Sequence, residues 1–138
     1  MLCPAKAPHL PVFQPWESAP MIAKVIYFGP DECHRLMVLQ SAGYAVEECE
    51  SLIQLRAMLA KVAGVDAVLM SDREGVSPRE ALAAAKTHSS FPVILFRNTN
   101  MAYEESGFDL VVDCLTPPDV WLNDVDVLIE RTRAELRA

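Results

Sequence analysis

The sequence lacks the cysteine patterns of a metal finger or a disulfide framework. Its four cysteines, Cys3, Cys33, Cys49 and Cys114, form no Cys-x-x-Cys pair and have no histidine at the spacing of a zinc site. The N-terminus also lacks the charged start and long apolar run of a secretion signal. These absences predict a reduced protein of the cytoplasm.

Long apolar runs and an excess of basic residues are missing as well. The longest stretches without a charge, such as residues 7–16, contain prolines and fall short of the roughly 20 apolar residues of a spanning helix. Lys and Arg number 12 against 19 Asp and Glu, which gives a net charge of −7. The short runs predict no membrane span, and because the negative charge repels a phosphate backbone, we expect no nucleic-acid binding either.

What the sequence does contain is enough apolar residues for one folded domain. Of its 138 residues, 51% are hydrophobic, and a chain of this length can bury about two-thirds of its unfolded surface. Five of the ten prolines fall within the first twenty residues, which show neither helical nor strand periodicity. We therefore expect a flexible, proline-rich arm over residues 1–21 and a folded domain over residues 22–138.

Within that domain, short β-branched and aromatic runs alternate with helical stretches. This alternation is typical of an α/β protein with a parallel sheet. The predicted strands are residues 24–29, 44–48, 67–70, 92–96 and 110–113. The predicted helices are residues 31–42, a helix capped by Ser51, a helix with a capping box at Ser77, Pro78 and Glu80, an irregular one within 98–107, and a last one from Thr116 to about Arg137.

Three phrases connect this order of elements to a known family: GVDAVLMSD at residues 64–72, FPVILF at 91–96 and VVDCLTPPDVW at 111–121. From Ile22 onward the chain resembles the receiver domain of two-component response regulators. The resemblance implies a flavodoxin-like, doubly wound α/β fold with a five-stranded parallel sheet of order 2-1-3-4-5 and helices on both faces. It also implies a signalling module rather than an enzyme.

In that family, a histidine kinase transfers a phosphoryl group to an aspartate at the end of the third strand. Acidic residues after the first strand hold Mg²⁺, a Ser or Thr ends the fourth strand and a Lys ends the fifth. The cations are needed because a carboxylate that attacks a phosphoryl group gathers negative charge.

The resemblance carries over to this sequence only in part. The acidic pair falls on Gly29 and Pro30, although Asp31 and Glu32 follow directly. The phosphoacceptor falls on Ser71, with Asp72 one position later.

The two remaining positions of the family pattern hold other residues. The Ser or Thr position holds Arg97, and the lysine position holds Thr116. No lysine follows Lys86, so no shift of the alignment supplies the missing ammonium group.

Two hypotheses follow. In the first, a histidine kinase phosphorylates Asp72, while Asp31, Glu32 and Asp72 hold Mg²⁺ and Arg97 replaces the lysine. In the second, which we favour, the chain is a degenerate receiver that binds protein partners without phosphate. Asp72 and Arg97 then form an ion pair.

Other residues give weaker indications. Cys33 is predicted in the first helical turn, where a lowered thiol pKa would suit a thiol enzyme or phosphocarrier, but Asp31 and Glu32 would repel a phosphate there. The resemblance places Tyr103 and Trp121 on the face that contacts an output protein or a second copy in a homodimer. For Trp121, inward packing is the competing interpretation.

Overall fold

The centre of the fold is a parallel sheet built from the apolar runs. The computed structural model describes residues 22–72, 78–88, 91–98 and 107–137. All strand pairs are parallel, and the order β2-β1-β3-β4-β5 confirms the predicted flavodoxin-like α/β topology. The strands are β1 (Ala23–Phe28), β2 (Tyr44–Cys49), β3 (Ala67–Ser71), β4 (Val93–Arg97) and β5 (Leu110–Asp113).

Helices cover both faces of this sheet. They are α1 (Arg35–Ser41), α2 (Leu52–Lys61), α3 (Arg79–His88) and α4 (Pro118–Arg137), with a 3-10 turn at Glu32–His34. Tyr27, Leu69 and Phe96 pack with α1 and α4 on one face, and Ile26 and Met70 pack with α2 and α3 on the other. Because the central strands are buried on both sides, their sequences are continuously apolar.

Most predicted elements are confirmed, with boundaries shifted by one or two residues. β2, β3 and β4 each end one residue later than expected. The larger difference is the first helix, which was predicted over residues 31–42 but begins only at Arg35. The reason is that Cys33 and His34 take left-handed φ values of 60° and 57°, which no regular helix contains.

Some predictions fall outside the part of the chain that the structure describes. They are the arm at residues 1–21, the Ser77 cap, most of the irregular helix at 98–107, and Tyr103.

At the amino end of the sheet, one arginine joins the last helix to two strands. The Arg133 guanidinium donates to Asp66 Oδ1 at 3.1 Å and to the Ile22 carbonyl oxygen at 2.9 Å. Asp66 Oδ2 also accepts the backbone N–H of Lys24 at 2.9 Å. This network fixes the starts of β1 and β3 against α4.

The functional side chains lie at the opposite edge. Strand order reverses between β1 and β3, and folds of this type place their sites at the carboxyl ends of the strands around that point. We call this edge the rim and define it by Gly29, Ser71, Asp72, Arg97 and Asn98.

Candidate functional site

The ends of β1 and β3 approach each other closely at the rim. Gly29 has φ +108°, and a Cβ atom added to it would overlap the backbone carbonyl oxygen of Ser71 and lie 3.3 Å from the carbonyl carbon. This is the position at which the resemblance places the first metal-holding acid. In this conformation, it has no room for any side chain.

The loop after Gly29 is held by two hydrogen bonds. The Tyr27 hydroxyl donates to the Pro30 carbonyl oxygen at 3.2 Å, and Asp31 Oδ1 accepts the backbone N–H of Leu36 at 3.0 Å. Asp31 therefore caps the start of α1. The left-handed residues Cys33 and His34 lie between Asp31 and the helix that it caps.

The residue that follows this loop, Arg35, places a positive charge next to the rim. This cation was not predicted from the sequence. Arg35, the first residue of α1, is only 2% exposed. Its Cζ lies 4.4 Å from the centre of the Phe96 ring, and its Nη1 donates to Ser71 Oγ at 3.4 Å. The sequence does contain one indication that Arg35 is buried. It precedes the buried Leu39 by four residues, so both side chains lie on the same face of the helix.

Phe96 is the centre of an aromatic cluster beneath the rim. Its ring stacks on Tyr27 with centres 6.2 Å apart and meets Trp121 edge to face at 5.0 Å. Burial raises the pKa of Tyr27, although Ser71 and Arg35 oppose that shift.

Trp121 belongs to this aromatic cluster and is buried in it. Its side chain is only 3% exposed, so the prediction that it anchors a partner on an interaction face is wrong. The competing interpretation, inward packing, is the observed one, because the indole fills the space between α4 and Phe96.

Asn98 ties the ends of β3 and β4 together. Its backbone N–H donates to Asp72 Oδ1 at 2.5 Å, and its side-chain amide donates to the Asp72 carbonyl oxygen at 3.0 Å and to Ser71 Oγ. Asp72 itself is 2% exposed. Among the described residues, Asn98 Oδ1 is a buried polar atom with no hydrogen-bond partner. Sequence reasoning gave no sign of this residue's role.

Two neighbouring cavities open beside these strand ends. The smaller has about 10 Å³, room for about one water molecule, and Gly29, Glu50, Ser71 and Asp72 are among its lining residues. The larger has about 200 Å³, and its lining includes Asp31 and Glu50. Glu50 therefore faces both cavities.

Two of the three predicted Mg²⁺ ligands make other contacts in the structure. Asp31 caps α1, Asp72 accepts the Asn98 N–H, and no three His, Cys, Asp or Glu residues in the described ranges could hold a metal together. The side chain of Glu32, the third predicted ligand, lies outside the described residues.

The two predicted replacement positions are both half-buried. Arg97 ends β4 and lies opposite Asp113 in the register with β5. Thr116 lies in the turn after β5, where its backbone N–H donates to the Asp113 carbonyl oxygen at 3.0 Å. The ion pair between Asp72 and Arg97 stays a prediction.

The structure also corrects the position of Cys33. This residue is exposed in the 3-10 turn and does not lie in the first turn of α1, which begins two residues later. The argument that a helix N-terminus activates its thiol therefore loses its geometric basis. By contrast, Cys49 is buried, and burial raises its pKa to about 12.

Comparison with known proteins supports the fold through structure alone. No protein-family model and no curated protein match the sequence. The N-terminal domain of a response regulator/sensory box/GGDEF 3-domain protein from Carboxydothermus hydrogenoformans is 16% identical, with 82% of this chain and 98% of that one covered and a TM-score of 0.67.

Two further solved structures give similar values. A CheY-like response regulator receiver domain protein from Methanospirillum hungatei JF-1 is 14% identical, with coverages of 82% and 98% and a TM-score of 0.66. The signal receiver domain of an HD domain-containing protein from Pseudomonas fluorescens Pf-5 is 15% identical, with coverages of 81% and 98% and a TM-score of 0.67. The chain thus has the flavodoxin-like fold of receiver domains.

The same fold also occurs inside a larger enzyme. A match to the lysine decarboxylase LdcF of Francisella novicida covers 79% of this chain but 17% of that one, at 7% identity and a TM-score of 0.61. A fold shared by signalling domains and part of an enzyme does not define function by itself, so function is argued from the site. Within the described ranges, no helix combines the length and apolarity required to cross a bilayer.

Proposed function

We propose that this chain is a receiver-like signalling module of the two-component type that acts by contact with a protein partner and not by accepting a phosphoryl group. The observation that carries the proposal is the packing of Gly29 against the Ser71 carbonyl group. A receiver that holds Mg²⁺ through the acid at this position needs space there, and the backbone of β3 occupies that space.

Two further observations support a degenerate phosphoacceptor site. Asp72 is buried and its carboxylate already accepts a hydrogen bond, whereas an attacking carboxylate must be reachable by the phosphoryl donor. The cation described beside Ser71 is Arg35, whose guanidinium lies on the Phe96 ring. In this proposal the chain has no catalytic activity of its own.

The exposed surface of α4 supports contact with a protein. Val120 and Val127 are 47% and 53% exposed, and their spacing of seven residues puts them on the same side of the helix. Exposed apolar side chains that share one face favour an interface. The partner is a histidine kinase, an output protein or a second copy of the chain.

Incubation with acetyl phosphate and Mg²⁺, followed by intact-mass measurement, tests the proposal. We expect no added mass under conditions that modify a receiver with a complete set of acidic and lysine residues. Addition of one phosphoryl group that is lost in Asp72→Asn, but kept in the control Asp113→Asn, would overturn it in favour of the first hypothesis.

The thiol alternative has its own test. If Cys33 were a nucleophile, it would react with iodoacetamide at neutral pH much faster than the exposed Cys114. We expect similar rates for the two thiols.

A further inference from the structure

Arg35 carries a buried positive charge that the proposed function does not explain. Arg35 is only 2% exposed, and no ion pair among the described residues includes it. Its contacts include the Phe96 ring and Ser71 Oγ, and it also lies close enough to the Tyr27 hydroxyl to oppose the rise in the pKa of that group. Because burial of a charge without an anionic partner is costly, a side chain kept in this position needs a reason.

The local backbone is arranged to put Arg35 there. Side chains of a helix lean toward its N-terminus, so the first residue of α1 extends beyond the helix end toward the rim. This placement requires left-handed conformations at both Cys33 and His34, which L-residues adopt at a cost. The Asp31 cap at Leu36 and the Tyr27 contact with Pro30 hold the strained loop.

The guanidinium is also connected to the start of the last helix. Arg35 contacts Phe96, and the edge-to-face contact at 5.0 Å joins Phe96 to Trp121. Trp121 lies in the first turn of α4, where its backbone N–H donates to the Pro117 carbonyl oxygen at 3.1 Å. A continuous series of contacts therefore links the loop after β1 to the helix that presents Val120 and Val127.

We propose that Arg35 is a built-in cation that locks the domain in one conformation. Its guanidinium supplies permanent positive charge beside Ser71 and, through Phe96 and Trp121, fixes the first turn of α4. The face formed by α4 is thus held ready for a partner without a phosphate signal. This regulatory role rests on the proposed function, because it explains how a receiver-like surface is set when the rim is not phosphorylated.

Hydrogen exchange of the full chain tests this lock. Arg35→Met keeps the aliphatic stem and removes the charge. We expect amides 120–123 of α4 to exchange about tenfold faster than in the unsubstituted chain, after normalisation to the amides of α2. The matched control Arg56→Met removes an exposed arginine on the other face of the sheet and should change neither group.

The Arg35→Met substitution, made in a Phe96→Leu variant, distinguishes a specific link between Arg35 and α4 from a general loss of stability. In Phe96→Leu, the ring between Arg35 and Trp121 is absent, so addition of Arg35→Met should not accelerate amides 120–123 further. Equal acceleration in α2 and α4, no acceleration in α4, or the same additional effect without the Phe96 ring would overturn the proposal.

Milder variants keep the test usable if Arg35→Met does not fold. Ser71→Ala removes the hydrogen-bond acceptor that the guanidinium shares with the Asn98 side-chain amide. Arg35→Lys keeps the charge, leaves Ser71 and Asn98 unchanged and loses only the planar contact with Phe96. Both should accelerate amides 120–123 by about threefold, and no change in either would refute the lock. Phosphorylation of the unsubstituted chain would overturn the proposed function, whereas unchanged exchange in these variants would overturn only the lock.

Discussion

Replacement of Gly29 by alanine is the most direct test of the rim geometry. The added Cβ would overlap the Ser71 carbonyl oxygen, and the φ of +108° is unfavourable for any L-residue with a side chain. Gly64 provides a matched control because it also has a positive φ, +73°, but nothing lies within 4 Å of its added Cβ. Both alanine variants therefore carry the strain of a positive φ, and only Gly29→Ala adds the collision.

The size of the difference follows from these two contributions. A left-handed backbone costs a non-glycine residue about 1–2 kcal/mol, which Gly64→Ala should show alone. Overpacking adds about 1–3 kcal/mol, and the neighbour of Gly29 is backbone, which cannot move aside as a flexible side chain can. We therefore expect Gly29→Ala to lower the free energy of unfolding by about 2–5 kcal/mol.

Urea denaturation of both variants at pH 7 measures this difference. The reasoning is refuted if Gly29→Ala and Gly64→Ala lose the same free energy of unfolding within about 0.5 kcal/mol. A companion variant, Gly29→Asp, restores the acid that the receiver pattern has at this position. Because the site has no room for it, Mg²⁺ should not raise the melting temperature of this variant.

Three further predictions concern other parts of the molecule. Arg133→Met should lower the free energy of unfolding by about 1 kcal/mol, because it removes partly exposed contacts with Asp66 and Ile22, whereas the exposed Arg137→Met should leave urea denaturation unchanged. Burial, followed by the hydrogen bond to Asp126, raises the pKa of Tyr44 above its ordinary value of 10.0. The stability that neutral Tyr44 contributes is therefore fully present below pH 10, and the free energy of unfolding falls as the pH rises above 10. Tyr44→Phe should flatten that alkaline fall in unfolding free energy, and an unchanged slope would contradict this. Iodoacetamide at pH 8.5 should leave Cys49 unmodified until denaturant is added, since burial raises its pKa to about 12, and peptide mapping of native protein would reveal any early labelling.

The sequence predicted the sheet well because its signals are local. Alternating apolar runs and helical stretches determine the number and direction of the strands, and each observed strand lies within one residue of its expected ends. The first helix was placed too early because an apolar periodicity does not reveal that Cys33 and His34 adopt left-handed φ values.

The candidate site was harder to predict because it depends on contacts between distant segments. The sequence shows a glycine where the receiver pattern has an acid, but only the structure shows that residue 29 touches the end of β3. Likewise, the sequence indicated Arg97 as the cation that replaces the lysine missing at Thr116. The buried guanidinium beside Ser71 comes instead from Arg35, the first residue of the helix after β1, and it packs on the Phe96 ring of β4.

The hydrogen bond between Arg133 and the Ile22 carbonyl oxygen has a practical use in measurements of partner binding. A carbonyl oxygen at the entrance to β1 is held 2.9 Å from a side-chain nitrogen of α4. A fluorescent label introduced at position 22 would therefore sit beside this helix while remaining at the opposite end of the sheet from Asp72. Such a label would report a protein that docks along the helix without disturbing the chemistry at the strand tips.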